Sequence, residues 1–80
     1  MQLNILAFGI TKDIVGRSTV EVTIPEGLTV GQLKEWLSTQ YPAMQELKSL
    51  LIAVNEEYGE DGHILSEKDE IALIPPVSGG

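Results

Sequence analysis

The residues with the clearest chemical meaning are the last six, Pro75-Pro76-Val77-Ser78-Gly79-Gly80. Gly79 and Gly80 carry no Cβ, so they fit a narrow channel and take backbone angles closed to other residues. Pro75 and Pro76 hold φ near one value and favour an extended backbone. The segment reads as a stiff stalk with a bare tip. It is expected to deliver one group, the α-carboxylate of Gly80, into another protein's active site. Gly79 supplies clearance, and Pro75, Pro76, Val77 and Ser78 supply reach and direction. A Gly-Gly pair alone is also what a frayed, functionless end looks like, so the rest of the chain must decide.

Little else in the sequence builds a reaction centre. There is no cysteine, hence no thiol nucleophile and no thiolate ligand. If the protein handles sulfur, the sulfur must sit elsewhere than on a thiol, and the C-terminus is the candidate place. His63 is the single histidine, without a triad pattern or metal-ligand spacing around it. Glu56, Glu57, Glu60 and Asp61 lack the ordered spacing of a Ca²⁺ loop. Gly27, Gly31 and Gly59 do not form a phosphate-cradling loop. The chain is therefore expected to bind no metal and no cofactor, and to have no turnover in isolation.

Composition narrows the partners. Eighty residues make one domain, and 42% apolar content suits a folded globule. A secreted domain this small usually carries disulfides, so their absence points to a reducing, cytoplasmic setting. No stretch has the length and hydrophobicity of a membrane span or a signal peptide. Twelve acids against five bases give a net charge of −7. Phosphate backbones repel such a surface, which argues against nucleic acid and favours a partner with a basic face. Seven of the acids lie between Glu56 and Glu70, as a solvated loop or a docking segment.

The elements that must position the stalk follow from periodicity. Leu3 to Gly9 reads as a strand, and Thr11 to Val15 as one helical turn stopped by Gly16. Thr19 to Ile24 alternates cleanly, with Val20, Val22 and Ile24 on one face. Thr29 opens a helix with Gln32 completing a capping box. Val30, Leu33, Leu37 and Tyr41 form its apolar stripe, with Trp36 at the edge, and Pro42 ends it. Ala43 to Ser49 is a candidate second short helix. Leu50 to Val54 is an apolar strand expected to be buried on both faces. Gly59 and Gly62 are expected at points of unusual φ in the turn-rich stretch that follows. Ile64-Leu65 is a brief strand, Ser66 to Glu70 a turn, and Ile71 to Ile74 the last strand, which Pro75 cannot continue. The order is β-β-α-β-(β)-β. It predicts an α+β domain over 1–74, a mixed sheet with one main helix across one face, and an extended tail over 75–80. Ubiquitin-like (β-grasp) domains have this order.

Within that fold the chain resembles the small, sulfur-carrying subunit of molybdopterin synthase (the MoaD family). The resemblance covers essentially the whole chain. It is carried most specifically by Asp69-Glu70-Ile71-Ala72-Leu73-Ile74-Pro75-Pro76-Val77-Ser78-Gly79-Gly80 and by Leu51-Ile52-Ala53-Val54-Asn55. Phe8-Gly9, Asp13 to Gly16 and the helix start at Thr29-Val30 add to it. Lys68-Asp69 departs from the Gly-containing turn common in the family, and Glu57 to His63 is unusually polar for a paired strand.

The resemblance implies a covalent carrier. An E1-like adenylating enzyme would use ATP to activate Gly80. A sulfur donor of desulfurase or rhodanese type would convert the adenylate to a thiocarboxylate. The loaded tail would then enter the large subunit of molybdopterin synthase, in a heterotetramer, and give its sulfur to a pterin precursor in molybdenum cofactor biosynthesis. Phe8 has two readings, a core residue or part of an apolar partner-contact patch with the last strand, Leu73 included. Two alternatives stay open: sulfur carriage for thiamin or tRNA thiolation, and a ubiquitin-like modifier joined to lysines.

Overall fold

The computed structural model describes residues 1–47 and 50–75. Pro76, Val77, Ser78, Gly79 and Gly80, the expected tip of the stalk, lie outside the described residues. Lys48 and Ser49, the end of the expected second short helix, do so too.

The first strand, β1 (Gln2–Ala7), buries Leu3, Ile5 and Ala7 and exposes Gln2 and Asn4. A short helix, α1 (Ile10–Val15), ends at Gly16, which takes the left-handed conformation at φ 88. The second strand, β2 (Thr19–Thr23), returns antiparallel to β1, with Val22 opposite Leu3 and Val20 opposite Ile5. The main helix, α2 (Val30–Gln40), opens with the expected capping box. The Gln32 N–H donates to Thr29 Oγ1 at 3.2 Å, and the Thr29 N–H donates to Gln32 Oε1 at 2.9 Å. Val30, Leu33 and Leu37 are buried on its inner face, and Trp36 and Tyr41 pack at the margin of the core. After Tyr41 the chain forms a 3₁₀ turn, Pro42–Glu46, in place of a second α-helix, and it buries Met44.

Three strands follow: β3 (Leu51–Val54), β4 (Glu57–Tyr58) and β5 (Ile71–Ile74). The sheet order is β2-β1-β5-β3-β4, so the last strand lies in the middle. β5 runs parallel to β1 and antiparallel to β3. Leu3, Ile5, Val22, Ile52, Val54, Ile71 and Leu73 meet the α2 stripe in one core. This is the expected α+β architecture.

The brief strand expected at Ile64-Leu65 is only a single bridge from Ile64 to Thr29, and the short strand lies at Glu57–Tyr58, in the stretch expected to be turns. Two further expectations change. β3 is not buried on both faces along its length: Leu51, at its start, is exposed while Ile52, Ala53 and Val54 are buried. Nor do Gly59 and Gly62 carry the unusual φ. The β3–β4 hairpin turns on Asn55 (φ 53) and Glu56 (φ 70), the positive-φ pair that a two-residue hairpin requires. Gly59 has a different reason to be glycine. A Cβ there would stand 2.9 Å from Val54 Cγ2 and 3.0 Å from Val30 Cγ2, where the hairpin tucks under the start of α2. Gly59→Ala is therefore expected to lower stability by about 1–3 kcal/mol through overpacking. Gly62→Ala, with open space around the new methyl, should change it by less than about 0.5 kcal/mol. Urea unfolding of the two variants checks the contrast.

Candidate functional site

The face of the sheet turned away from α2 leaves a group of apolar side chains uncovered; Ile10 and Ile64, outside the sheet strands, are exposed too. Cross-strand pairing sets it out: Leu6 lies opposite Ala72, Ala72 opposite Ala53, Leu51 opposite Ile74, and Ala53 opposite Tyr58. With Phe8, the residues Leu6, Ala53, Tyr58, Ala72 and Ile74 line an open depression of about 400 Å³, rimmed by Glu56 and Glu70. Phe8 is 49% exposed and Tyr58 71%. Contiguous exposed apolar surface beside charged residues is the usual mark of a protein-binding face.

Phe8 is not a core residue, and its place in an exposed apolar patch favours the second reading. Leu73, the other expected contact residue, is ruled out of the patch. It is 0% exposed, since it shares the inner face of β5 with Ile71 and points into the core under α2. Ala72 and Ile74, its neighbours in sequence, occupy the outer face instead.

Phe8 is held by its backbone. Thr11 is fully buried, and its Oγ1 accepts from the Phe8 N–H at 2.9 Å and donates to the Phe8 carbonyl at 2.6 Å. The Thr11 N–H adds a bond to the same carbonyl at 3.1 Å. The two peptide groups that leave β1 at Phe8 are thus satisfied, and the ring stands at the rim of the depression.

Pro75, the first residue of the stalk, is seated against the next residue along. Gly9 sits at φ 56, and a Cβ on it would lie 3.1 Å from Pro75 Cγ. Gly9 therefore serves twice: it takes a backbone angle that L side chains rarely adopt, and it leaves room for the proline ring. Pro75 directly follows the central strand, next to Ile74 and the apolar depression.

A second clip fixes the approach to β5. The Asn55 amide donates to Asp69 Oδ1 at 2.9 Å, the Glu70 N–H donates to Asn55 Oδ1 at 2.9 Å, and the Ser66 N–H donates to Asp69 Oδ2 at 2.9 Å. The Asn55 N–H closes the set on the Glu70 carbonyl at 2.8 Å. Burial pushes the Asp69 carboxyl up. The bonds from Ser66 and Asn55, with His63 at 3.9 Å, outweigh burial and hold it below the ordinary value of 3.8. The His63 carbonyl also accepts from the Val30 N–H at 2.9 Å, at the start of α2.

The acidic segment divides by role. Glu56 and Glu70 rim the depression. Asp61 instead supports the start of α2, accepting at its carbonyl from the Gly31 N–H at 3.0 Å and pairing with Lys34 Nζ at 3.0 Å. Among the described residues no three His, Asp or Glu side chains are grouped to hold a metal ion. No helix among them is long and apolar enough to cross a membrane. Thr11, Asn55, Tyr58, Ala72 and Ile74 are site residues that the sequence reading did not single out. The available signal was period-2 alternation continued from β1 through Leu6 and Phe8; the all-apolar run Ile71–Ile74 carried none.

The clip predicts a pH dependence. A carboxylate whose folded pKa is depressed contributes stability above its unfolded pKa and loses it as pH falls through the folded value. Asp69→Asn is expected to lower stability by about 1–2 kcal/mol at pH 7. The deficit should shrink as the pH falls below 3.8 and on through the lower folded value, where the native carboxylate protonates. Denaturant unfolding at neutral and acid pH tests this, and an equal deficit at both contradicts it.

The family model described as the ThiS family matches residues 5–80. The molybdopterin synthase sulfur carrier subunit of Dictyostelium discoideum is 39% identical, over 99% of this chain and 96% of its own length. The human protein of the same name is 34% identical, over 99% and 94%. Among solved structures, SAMP1 of Haloferax volcanii superposes with a TM-score of 0.81 at 27% identity, over the full length of both chains. Fold, full-length matches and sequence identity agree: the chain belongs to the ThiS family of ubiquitin-like proteins, among the sulfur carrier subunits of molybdopterin synthase.

Proposed function

We propose that this chain carries sulfur as a thiocarboxylate on Gly80 and docks on its partners through the outer face of the sheet. The carrying observation is the position of the tail root. Pro75 leaves the central strand against Gly9, beside the uncovered patch of Leu6, Phe8, Tyr58, Ala72 and Ile74. A protein that covers this patch has the stalk within reach of its own interior.

The chemistry needs an external activator. A carboxylate resists nucleophiles, and a bound adenylate supplies the missing leaving group. The Gly80 carboxylate attacks the α-phosphate of ATP and releases pyrophosphate. The outer sulfur of a donor persulfide then displaces AMP to form an acyl disulfide, and a thiol reduces that disulfide to the thiocarboxylate and frees the donor's cysteine. An E1-like adenylating enzyme and a desulfurase- or rhodanese-type donor are the partners for these steps. The molybdopterin synthase large subunit receives the loaded tail, and the relatives' name as a subunit of that synthase supports it. Two loaded tails supply the two sulfurs of one dithiolene. This chain contributes the acyl group, the stalk and the docking face. The activating enzyme contributes the nucleotide site.

The likeness to SAMP1, a small archaeal modifier protein, supports a second reading, in which Gly80 is joined to lysines of target proteins. Both readings use the same activated terminus and differ in the acceptor.

Intact-mass spectrometry after incubation with ATP, activating enzyme and sulfur donor separates them. Sulfur carriage predicts exchange of one terminal oxygen for sulfur, and loss of that sulfur to a pterin precursor when the large subunit is added. Isopeptide-linked ladders favour the modifier. An unchanged mass overturns both. Gly79→Arg, or removal of Gly80, should abolish loading while the fold and stability stay as they were, because the described core runs from Leu3 to Leu73.

A further inference from the structure

β2 is the one long strand at an edge of this sheet. The opposite edge, β4, has only two residues, too few to template a partner. The β1–β2 ladder fixes which backbone groups of β2 are free. The Ala7 N–H bonds the Ser18 carbonyl, and the Ile24 N–H bonds the Met1 carbonyl. In this antiparallel register the hydrogen-bonded pairs between them fall on Val20 and Val22. Thr19, Glu21 and Thr23 therefore turn their N–H and C=O groups outward, and no described residue pairs with them. All three are exposed.

Natural sheets usually blunt such an edge with proline, lysine, a bulge or a covering loop. β2 has none of these within its five residues, Thr-Val-Glu-Val-Thr, and four of the five are β-branched. Its single charge is Glu21, at the centre.

We propose that β2 is a strand-addition site for an extended segment of a partner protein that sets Lys or Arg opposite Glu21. The free donors and acceptors of Thr19, Glu21 and Thr23 supply main-chain pairing, and Glu21 selects the side chain across from it. A net charge of −7 steers a basic segment toward this edge. The same carboxylate excludes a second copy of this chain. Self-pairing of β2 about a two-fold axis sets Glu21 opposite Glu21 between two acidic bodies, and like charges directly opposite repel. β1 separates this edge from the central strand and its tail root, so the site stands whether or not the tail carries sulfur.

The test uses the full chain and two short blocked peptides of alternating Thr and Val, one with a central Lys and one with a central Glu. Amide hydrogen exchange and backbone NMR shifts are read residue by residue. The Lys peptide is expected to slow exchange at Thr19, Glu21 and Thr23, with affinity on the order of tenfold above the Glu peptide. E21K, a surface change, should reverse that preference, and E21K mixed with the unaltered chain should form a heterodimer while each alone stays monomeric. Equal binding of the two peptides overturns the proposal. So does protection on the outer sheet face in place of β2, a dimer of the unaltered chain, or no protection at all.

Discussion

Ile71 and Leu73 are fully buried while their strand is bonded to β1 on one side and β3 on the other. That double pairing leaves β5 no freedom to slip. A shift of one residue would drive Ala72 and Ile74 into the core and turn Ile71 and Leu73 out. The register places Pro75 against Gly9, and Pro75 itself has no N–H to give to the ladder. Where the stalk starts, and which face of the sheet it starts beside, follow from this one strand.

The two faces of the sheet are then used differently. The inner face meets α2 and supplies stability. The outer face keeps Phe8, Leu51 and Tyr58 substantially exposed. Each forgoes part of the roughly 1.5–3 kcal/mol that full burial of such a side chain would give. A domain of this size has little stability to spare, yet its backbone is spent on holding that face in order. Thr11 fixes the Phe8 peptide groups, and Asn55 with Asp69 fixes the approach to β5. In the proposed docking, a patch held this firmly lowers the entropic cost of binding.

Much of this was legible in the residues because it is local. Period-2 alternation gave β1 and β2, the i, i+3, i+7 stripe gave α2, and the Thr29/Gln32 pair gave its first turn. The four-residue run Ile71-Ala72-Leu73-Ile74 was legible as a strand but not as two faces, since all four residues are apolar. Only pairing with Leu6 and Ala53 shows that Ala72, not Leu73, faces outward. The Asn55–Asp69 clip joins residues fourteen apart in sequence, beyond the reach of any local pattern. Gly59 looked like a turn residue because glycine usually is one. Its real constraint, the approach of Val30 and Val54, exists only after the hairpin has packed under the helix.

The central claim is that the tail root and the outer sheet face together meet the protein that receives the tail. The most direct measurement is the footprint of the molybdopterin synthase large subunit on this chain, read by amide NMR shifts or hydrogen exchange in the complex. The account predicts changes at Leu6, Phe8, Tyr58, Ala72 and Ile74, continuing past Pro75, with the exposed side of α2 unchanged. A footprint on α2 that leaves the outer face of the sheet untouched would contradict it.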